Sequence, residues 1–389
     1  MRDTTSPPPN RGPRWSRRDA LRLGGLGLAA SLAGCGERAR RQAAPLPTAV
    51  RDDPDPVTVT DGLVRNAWAG WTLRVAEADP AIRSAFEHVV AAPFAEVTGC
   101  TVNLVATDYA RLTTSVDEGE PYVDLACVEG LWANRAEADS YLEPFSFATS
   151  AGSDVDIFET GTTSIPAYAV AMVNAFAAGP SVALARPENW AAWWDRTAFP
   201  GNRALKKGAV GTFEIALLSD GVLPADLYPL DFGRAIDRLR AISGRVVNRW
   251  WEATSQPIEW LAWGRADYAS AWSHHAWLAI VDGYPLDWGW EQALVTTNDW
   301  VMPVGSRAGE IAADFVGFAT QPAMQAAMAR AVGVGPVGAA AFEGMDPVLA
   351  ATLPTAPDHR GGLIEIDATW WATNLVPAQA AFNDWLLGV

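Results

Sequence analysis

The stretch Trp71-Thr-Leu-Arg-Val-Ala-Glu-Ala-Asp-Pro80 begins the strand-then-helix pattern that decides the fold. Its aliphatic residues alternate with polar ones, which predicts a first β-strand. Asp79 followed by Pro80 is typical of a helix N-cap with proline in the first turn. Apolar residues at helical spacing then run from Ile82 to Val90. The stretch therefore predicts a strand that ends near Glu77 and leads directly into a helix.

The same alternation continues downstream. Pro93 should kink or restart the first helix, and Gly99 is a natural residue to end it. A second strand is predicted over Thr101–Ala106 and a third over Val123–Val128, with helical spacing between them from Tyr109 to Val116. The third strand is continuously apolar, as in strands buried on both faces. Strands that alternate with helices predict an α/β fold with a mostly parallel sheet.

A second lobe is predicted after the extended segment Ser164–Asn174. It would contain tryptophan-rich and aliphatic helices and the strand Tyr268–Trp272, before Trp300 returns the chain to the first lobe. We therefore predict two lobes, each a mostly parallel sheet flanked by helices, with a ligand cleft between them. Residues 71–168 with about 300–389 would form lobe 1, and residues 169–299 lobe 2. The C-terminal helices could pack on either lobe.

The N-terminal segment Ser16–Cys35 has the order of an export signal. Arg17 and Arg18 form a twin-arginine pair, and the apolar run that follows is too short for a permanent bilayer span. The run ends in Leu32-Ala-Gly-Cys35, which resembles a bacterial lipobox. The alternative is a basic tail followed by a turn of apolar helix.

We expect residues 1–34 to be a twin-arginine lipoprotein signal peptide and residues 35–70 to be a flexible tether. Cys35 would carry the lipid anchor, on the outer face of the bacterial cytoplasmic membrane. Everything after Cys35 would then work outside the cytoplasm.

Composition limits the partners. Removing residues 1–34, which hold six Arg and two Asp, changes the formal net charge from −16 to −20. Such an acidic chain argues against nucleic acid, whose phosphates need Lys and Arg, and is compatible with a cationic solute. Beyond Cys35, Cys100 and Cys127 could form a disulfide in an oxidising compartment or remain as buried thiols.

Candidate binding residues follow from the rule that ligands bind at the carboxyl ends of parallel strands. The predicted strand ends and the return crossing supply carboxylates and indole rings, which together could hold a cation by charge and cation–π contact. These candidates are Glu77, Glu129, Trp132, Trp272, Ser273, Asn298, Asp299 and Trp300.

Other interpretations of these residues remain open. Asp79 is more simply a helix cap, Glu129 could lie on a solvated loop, and Trp132 and Trp272 could belong to the core. The adjacent His274-His275 lacks a nearby cysteine or spaced carboxylate, so we expect no metal and no other cofactor.

Catalytic signatures, such as a nucleophile elbow, a His-Glu-x-x-His helix or a Walker loop, are absent from the sequence. We therefore expect no enzyme activity. A hydrolase would need two cleft carboxylates, and Glu129 with Asp299 is the pair to examine.

Several short motifs occur in order along the mature chain. They are Phe94-Ala-Glu-Val-Thr-Gly, Tyr122-Val-Asp-Leu, Phe199-Pro-Gly-Asn-Arg, Ala216-Leu-Leu-Ser-Asp-Gly-Val, Leu227-Tyr-Pro-Leu-Asp, Ala271-Trp272 and Val301-Met-Pro-Val-Gly. In this order the chain resembles the solute-binding proteins of ABC transporters, in the spermidine/putrescine-binding branch. The resemblance implies a two-lobed periplasmic-binding-protein-like fold of type II. It also implies a receptor that closes on a small molecule and presents it to a membrane permease, and we expect that receptor to be a monomer.

The resemblance is less specific about the solute. Trp272 matches a tryptophan of the polyamine-binding aromatic box, whereas Glu129 stands where that branch has a small hydroxyl residue, and Thr296-Thr-Asn298 replaces a Trp-x-Asp pattern. We expect a small cationic solute, a polyamine or another amine. A cleft lined by Arg or Lys would contradict this expectation. A sugar ligand, or a sensory lipoprotein of the same fold, remains an alternative.

Overall fold

The computed structural model describes residues 63–135, 140–145, 154–178, 186–242 and 247–388. The predicted signal peptide, with Arg17 and Arg18, lies outside the described residues. Residues 35–62 of the predicted tether, which include Cys35, also lie outside the described residues.

The strands of the described chain include two that are much longer than the rest. In chain order they are β1 (Thr72–Ala76), β2 (Thr101–Val105), β3 (Leu125–Glu129), β4 (Leu142–Glu143), β5 (Ser164–Ala177), β6 (Arg203–Lys206), β7 (Val247–Trp251), β8 (Tyr268–Trp272), β9 (Leu286–Pro303) and β10 (Ile364–Glu365).

The helices of the described chain are mostly short. They are α1 (Pro80–Phe86), α2 (Ala92–Thr98), α3 (Tyr109–Asp117), α4 (Gly130–Ala133), α5 (Trp190–Trp194), α6 (Thr212–Ser219), α7 (Phe232–Ile242), α8 (Gln256–Ala262), α9 (Ser273–Val281), α10 (Gly309–Ala319), α11 (Pro322–Val332), α12 (Pro347–Ala350), α13 (Pro357–Arg360) and α14 (Ala368–Leu387).

These strands join in one sheet with the order β2-β1-β3-β9-β5-β8-β6-β7, and β4 and β10 pair with β9. β1, β2 and β3 are parallel to one another in the first half, and β6, β7 and β8 are parallel in the second half. The crossing strands β5 and β9 run antiparallel to each other, β5 runs antiparallel to β8 and β9 to β3, and the short β10 runs parallel to β9. The predicted α/β fold with mostly parallel sheets is confirmed, and the two halves share a continuous sheet.

The crossing strands are longer than the sequence patterns predicted. The expected extended segment at 164–174 is the strand β5, and the expected return at Trp300 is the end of the 18-residue β9. The ladder between them shifts register twice, between Pro166 and Tyr168 and between Met172 and Asn174. Such irregularities bend a strand and re-aim its side chains.

The two largest of the five hydrophobic clusters among the described residues correspond to the two halves. The first contains Phe86, Phe94 and Phe315. The second contains Trp193, Phe213 and further aromatic residues. The buried face of the C-terminal α14, with Trp371 and Phe382 among its residues, belongs to the second core.

Local signals explain how the first half is built. The Asp79 side chain accepts hydrogen bonds from the backbone of Ala81 and Ile82, so it caps α1 as predicted. A π-helical turn, Glu87–Ala91, lies between α1 and α2 just before Pro93, which cannot donate a backbone hydrogen bond. Gly99 ends α2 with φ of 73°, as expected of a left-handed C-cap.

The described part of the predicted tether packs on the body. The Trp68 Nε1–H donates to Asp314 at 2.9 Å, and the backbone N–H of Asn66 donates to the carbonyl of Val97 at 2.9 Å. A tether boundary at residue 70 is therefore too late, because residues 63–70 belong to the folded body.

Cys100 and Cys127 are both free and buried. Cys127 lies on β3 and Cys100 precedes β2, and β1 separates these two strands in the sheet. Burial raises the pKa of both thiols. Of the two open alternatives, the structure therefore selects buried thiols.

None of the helices in the described ranges combines the length and the apolar character that crossing a bilayer requires.

Candidate functional site

A cleft of about 240 Å³ lies where the ends of β1, β3, β6 and β8 meet the crossing strands. Four of the predicted binding residues line it: Glu77, Glu129, Trp272 and Asn298. The other polar lining residues are Asp79, Tyr109, Cys127, Tyr168, Lys206, Thr254, His274 and Thr296. We call the acidic side, formed by Glu77, Asp79, Glu129, Tyr168 and Asn298, the first wall, and the side formed by Lys206 and Trp272 the second wall.

Strand register sets three residues of the first wall in one row. Glu129 on β3 lies opposite Asn298 on β9, which in turn lies opposite Tyr168 on β5. Directly opposed residues in antiparallel strands project to the same face of the sheet. Tyr168 is placed in this row by the register shift that follows Pro166.

Hydrogen bonds connect this row to Glu77, which is 1 % exposed. The Asn298 amide donates to the Tyr168 hydroxyl at 2.6 Å, and that hydroxyl donates to the Glu77 carboxylate at 3.1 Å. The backbone N–H of Asp79 also donates to Glu77, at 2.9 Å. Burial raises the pKa of Glu77 to about 7, although these donors and Cys127 act to lower it. Near pH 7 Glu77 is therefore poised between its neutral and charged forms.

Asp79 does more than cap a helix. Its Oδ1 accepts the two capping hydrogen bonds, while its Oδ2 lies 3.0 Å from His275 Nε2 and 3.6 Å from His274 Nε2. Partial burial acts to raise the pKa of Asp79, but the two imidazoles outweigh it and lower the pKa well below its usual range. Burial lowers the pKa of His274 to about 4, so His274 is neutral at pH 7.

The second wall holds a cation beside an indole ring. β6 and β8 are parallel neighbours, so their ends bring Lys206 and Trp272 together. Lys206 Nζ lies 5.7 Å from the centre of the Trp272 ring, within the range of a cation–π contact. Lys206 is the only Lys or Arg among the described residues that line the cleft.

Two predicted residues of β9 lie behind the walls. Asp299 and Asn298 project to opposite faces because side chains alternate along a strand. Asp299 lies under Gly130 at the start of α4, and it is 4 % exposed. Burial raises the pKa of Asp299 to about 6, although hydrogen bonds with Thr297 and Ser164 act to lower it.

Trp300 is 1 % exposed and lies in the first core, where its ring centre is 5.0 Å from that of Phe86. Its side chain projects to the same face of the sheet as that of Asn298, but helix α1 covers it. The structure therefore brings only Asn298, of the three consecutive candidates at 298–300, into the cleft.

Two further candidates support the cleft from outside its lining. Trp132 on α4 packs against Tyr109 with ring centres 5.5 Å apart. Ser273 is buried, and its hydroxyl accepts a hydrogen bond from the backbone of Ala171 at 3.2 Å. It also begins α9, which follows β8 without an intervening loop.

Gly130 shows why α4 can sit so close to β9. A Cβ atom at this position would lie 2.6 Å from Thr297 Oγ1, which is closer than side chains approach. The glycine therefore lets α4 start directly after Glu129 and cover Asp299.

The structure separates the two carboxylates that the hydrolase alternative requires. Glu129 lines the cleft, whereas Asp299 lies behind it under Gly130. General acid–base work on a glycoside needs both carboxyl groups at the same bond. The buried Glu214 is likewise structural, since it accepts hydrogen bonds from Gly211, Tyr228 and Trp371.

Sequence reasoning missed Lys206, Tyr168 and the second role of Asp79. Lys206 ends a parallel strand, so the strand-end rule would have selected it had β6 been recognised. β6 was hidden because its first residue is the fully buried Arg203, whose guanidinium donates to backbone carbonyls of Trp193 and Gly201.

Comparisons with known proteins agree on the family. Residues 90–355 match the family of bacterial extracellular solute-binding proteins. The γ-aminobutyric acid-binding protein of Pseudomonas aeruginosa is 30 % identical over 334 residues, covering 81 % of this chain and 90 % of that protein.

Solved structures show the same fold. The Atu4243 GABA receptor has a TM-score of 0.74 at 28 % identity, over 81 % of this chain and 97 % of that one. An ABC transporter substrate-binding protein from Bradyrhizobium japonicum has a TM-score of 0.76 at 24 % identity, over 81 % and 99 %. These relatives are transport proteins and not enzymes. The chain belongs to the family of bacterial extracellular solute-binding proteins.

Proposed function

We propose that this protein binds a short zwitterionic amino acid, with γ-aminobutyrate (GABA) as the first candidate, and delivers it to an ABC permease. The observation that carries the proposal is the opposite charge of the two walls, with Glu129 on the first and Lys206 on the second. The names of a relative and of a similar structure, both GABA-binding proteins, support the same solute.

Lys206 changes the expected solute. A diamine would place one ammonium group beside the Lys206 ammonium, which is unfavourable for like charges in a partly desolvated site. A carboxylate at that position would instead gain a charge-assisted hydrogen bond. The solute still carries the expected amine at its other end. There Glu129 can accept a hydrogen bond from the ammonium group, and the Asn298 amide lies beside it.

The cleft volume favours a short solute. At about 240 Å³ it lies just below the roughly 300–1,000 Å³ of pockets that bury drug-sized ligands. The apolar residues Leu131, Val170 and Val210 line the cleft together with the charged groups. A few methylene groups between an amine and a carboxylate match such a lining.

Closure of the two halves would bury the solute. β5 and β9 are the strands that cross between the halves, and hinge closure around a ligand is a common motion of two-lobed binding proteins. We further propose that the body is exported through Arg17 and Arg18 and anchored by a lipid on Cys35. It would act as a monomer beside the permease. Replacing Cys35→Ser should release the protein from membranes, and persistent membrane attachment would contradict the anchor.

Isothermal titration calorimetry with four solutes tests the binding proposal. GABA should bind, while n-butylamine and n-butyrate, which each keep one charged end, should bind at least about 30-fold more weakly, because one charge pair is worth about 2 kcal/mol or more. Putrescine matches GABA in length and replaces the carboxylate with a second amine. Tight putrescine binding without GABA binding would overturn the zwitterion and restore a polyamine ligand. A sugar that binds while all four fail would favour stacking on Trp272.

A further inference from the structure

Asp79, His274 and His275 form a compact group of metal-ligand atoms. One carboxylate oxygen and two imidazole nitrogens lie within 4.8 Å of one another. The sequence shows the two histidines without a nearby carboxylate, and the fold supplies that carboxylate from the start of α1. Asp79 and His274 also line the cleft.

The imidazole nitrogens have no other partner. His274 Nδ1 and Nε2 and His275 Nε2 are buried, and apart from the approach of the two Nε2 atoms to Asp79 Oδ2 they have no hydrogen-bond partner among the described residues. The His274 side chain is 6 % exposed, so water does not readily replace the missing partners. Buried polar atoms normally have partners of their own, so two buried imidazole nitrogens that converge on a single carboxylate oxygen call for an explanation.

The carboxylate is held so that one oxygen stays free. Asp79 Oδ1 accepts from Ala81 and Ile82 at 2.8 and 3.2 Å, which leaves Oδ2 directed at the imidazoles. The backbone N–H of Asp79 is fixed by Glu77. Hydrogen bonds of this kind orient metal ligands and lower the cost of assembling them.

The spacing suits a small tetrahedral ion. Bonds of about 2.0–2.2 Å at tetrahedral angles place ligand atoms roughly 3.3–3.5 Å apart. The observed separations of 3.0 and 3.6 Å from Asp79 Oδ2 bracket that value. The N-terminal ends of α1 and α9 meet here and oppose a cation, and the carboxylates of Asp79 and Glu77 offset them.

We propose that Asp79, His274 and His275 bind one divalent transition-metal ion of the Zn²⁺ type, with the fourth coordination position open to the cleft. This site goes beyond solute recognition, because it needs no solute and joins Asp79 of the first wall to α9, which follows Trp272 of the second wall. An ion beside Asp79 and the ammonium group of a solute beside Glu129 would be two cations in one cleft and would weaken each other's binding. The test is therefore made without solute.

The experiment titrates Zn²⁺ alone into the chelator-stripped full-length protein. We expect about one equivalent to bind, and His275→Gln should weaken binding by more than about 100-fold, since even outer-shell changes cost 10–100-fold. Asp79→Asn should also weaken it, while asparagine still caps α1. His88→Gln is the control, because His88 is exposed in the π-helical turn after α1 and should leave binding unchanged.

Co²⁺ provides a second measurement. Bound at the site it should give visible ligand-field absorption that is lost in His275→Gln and kept in His88→Gln. Far-UV circular dichroism checks that the variants are folded. Absence of a saturable Zn²⁺ site, or equal binding in Asp79→Asn, His275→Gln and the unaltered chain, would overturn the proposal.

Discussion

The two walls of the cleft hold their polar groups in different ways. On the first wall Glu77, Tyr168 and Asn298 are linked by hydrogen bonds and held by three strands and a helix cap. On the second wall Lys206 stands beside the Trp272 ring without such a network. The first wall is therefore preorganised, whereas the lysine can adjust to a solute. The difference also teaches that a net charge of −16 does not report the charge at a binding site.

The largest expected effect comes from the second wall. Lys206→Met should weaken GABA binding by about 100-fold, because loss of one partner of a buried charge pair costs about 3 kcal/mol. Calorimetry measures this loss. The matched control is Lys207→Met, since Lys207 is adjacent but pairs with Glu252 at 2.7 Å on the surface. Equal affinities in both variants would remove Lys206 from the site.

The next effect comes from the exposed acid of the first wall. Glu129→Gln keeps the shape of the side chain and removes its charge, so GABA binding should weaken by about tenfold, less than for the lysine because water screens an exposed group. Glu118→Gln changes an exposed glutamate outside the cleft and should have no effect. An unchanged affinity in Glu129→Gln would move the ammonium position to another carboxylate.

A smaller effect is expected from the network itself. Tyr168→Phe removes the hydroxyl between Asn298 and Glu77, which should lower the free energy of unfolding by about 1–2 kcal/mol and weaken GABA binding by only a few-fold. Denaturant unfolding and calorimetry measure the two quantities. Tyr284→Phe, at an exposed tyrosine, is the control. A larger loss of binding than of stability would show that the hydroxyl contacts the solute directly.

A substitution of Asp299, which lies behind the first wall, is expected to leave GABA binding unchanged. The unfolded Asp299 carboxyl ionises near pH 3.8, whereas burial holds its proton to a pKa of about 6 in the folded chain. Stability from this group is therefore fully present below pH 3.8 and is lost as the pH rises to about 6.

Asp299→Asn should remove this loss, so the variant should gain stability relative to the parent as the pH rises from about 4 to about 6. Asp237→Asn, at an exposed aspartate, should show no such gain. Denaturant unfolding across this range measures it. A parallel pH profile for parent and variant, or weaker GABA binding, would contradict the placement of Asp299 outside the cleft.

The sequence predicted the first half of the fold well because its signals are local. The Asp79-Pro80 cap, the Gly99 helix end and the apolar third strand each depend on neighbouring residues. The length of β9 was not predicted, because polar residues such as Thr296 and Asn298 face a cleft and break the apolar pattern of a buried strand.

The candidate site was predicted only in part, because only some of its residues follow strands with a clear local pattern. Glu77 and Glu129 directly follow strands with clear patterns, and the strand-end rule selected them. At 298–300 the rule was applied without the alternation of a strand, so it also selected Asp299 and Trp300. The pairing of Asp79 with His274 depends on how two distant helices meet, and no local pattern contains that information.

The two free thiols bear on whether the chain can fold before it is exported. Cys100 and Cys127 remain reduced in the folded body, and β1 keeps their strands apart. Folding of the described body therefore needs no oxidant and no thiol oxidase. It can be complete in a reducing cytoplasm, where disulfides do not persist. That timing is what a twin-arginine route, which carries folded cargo, would require of a binding protein that works on the far side of the membrane.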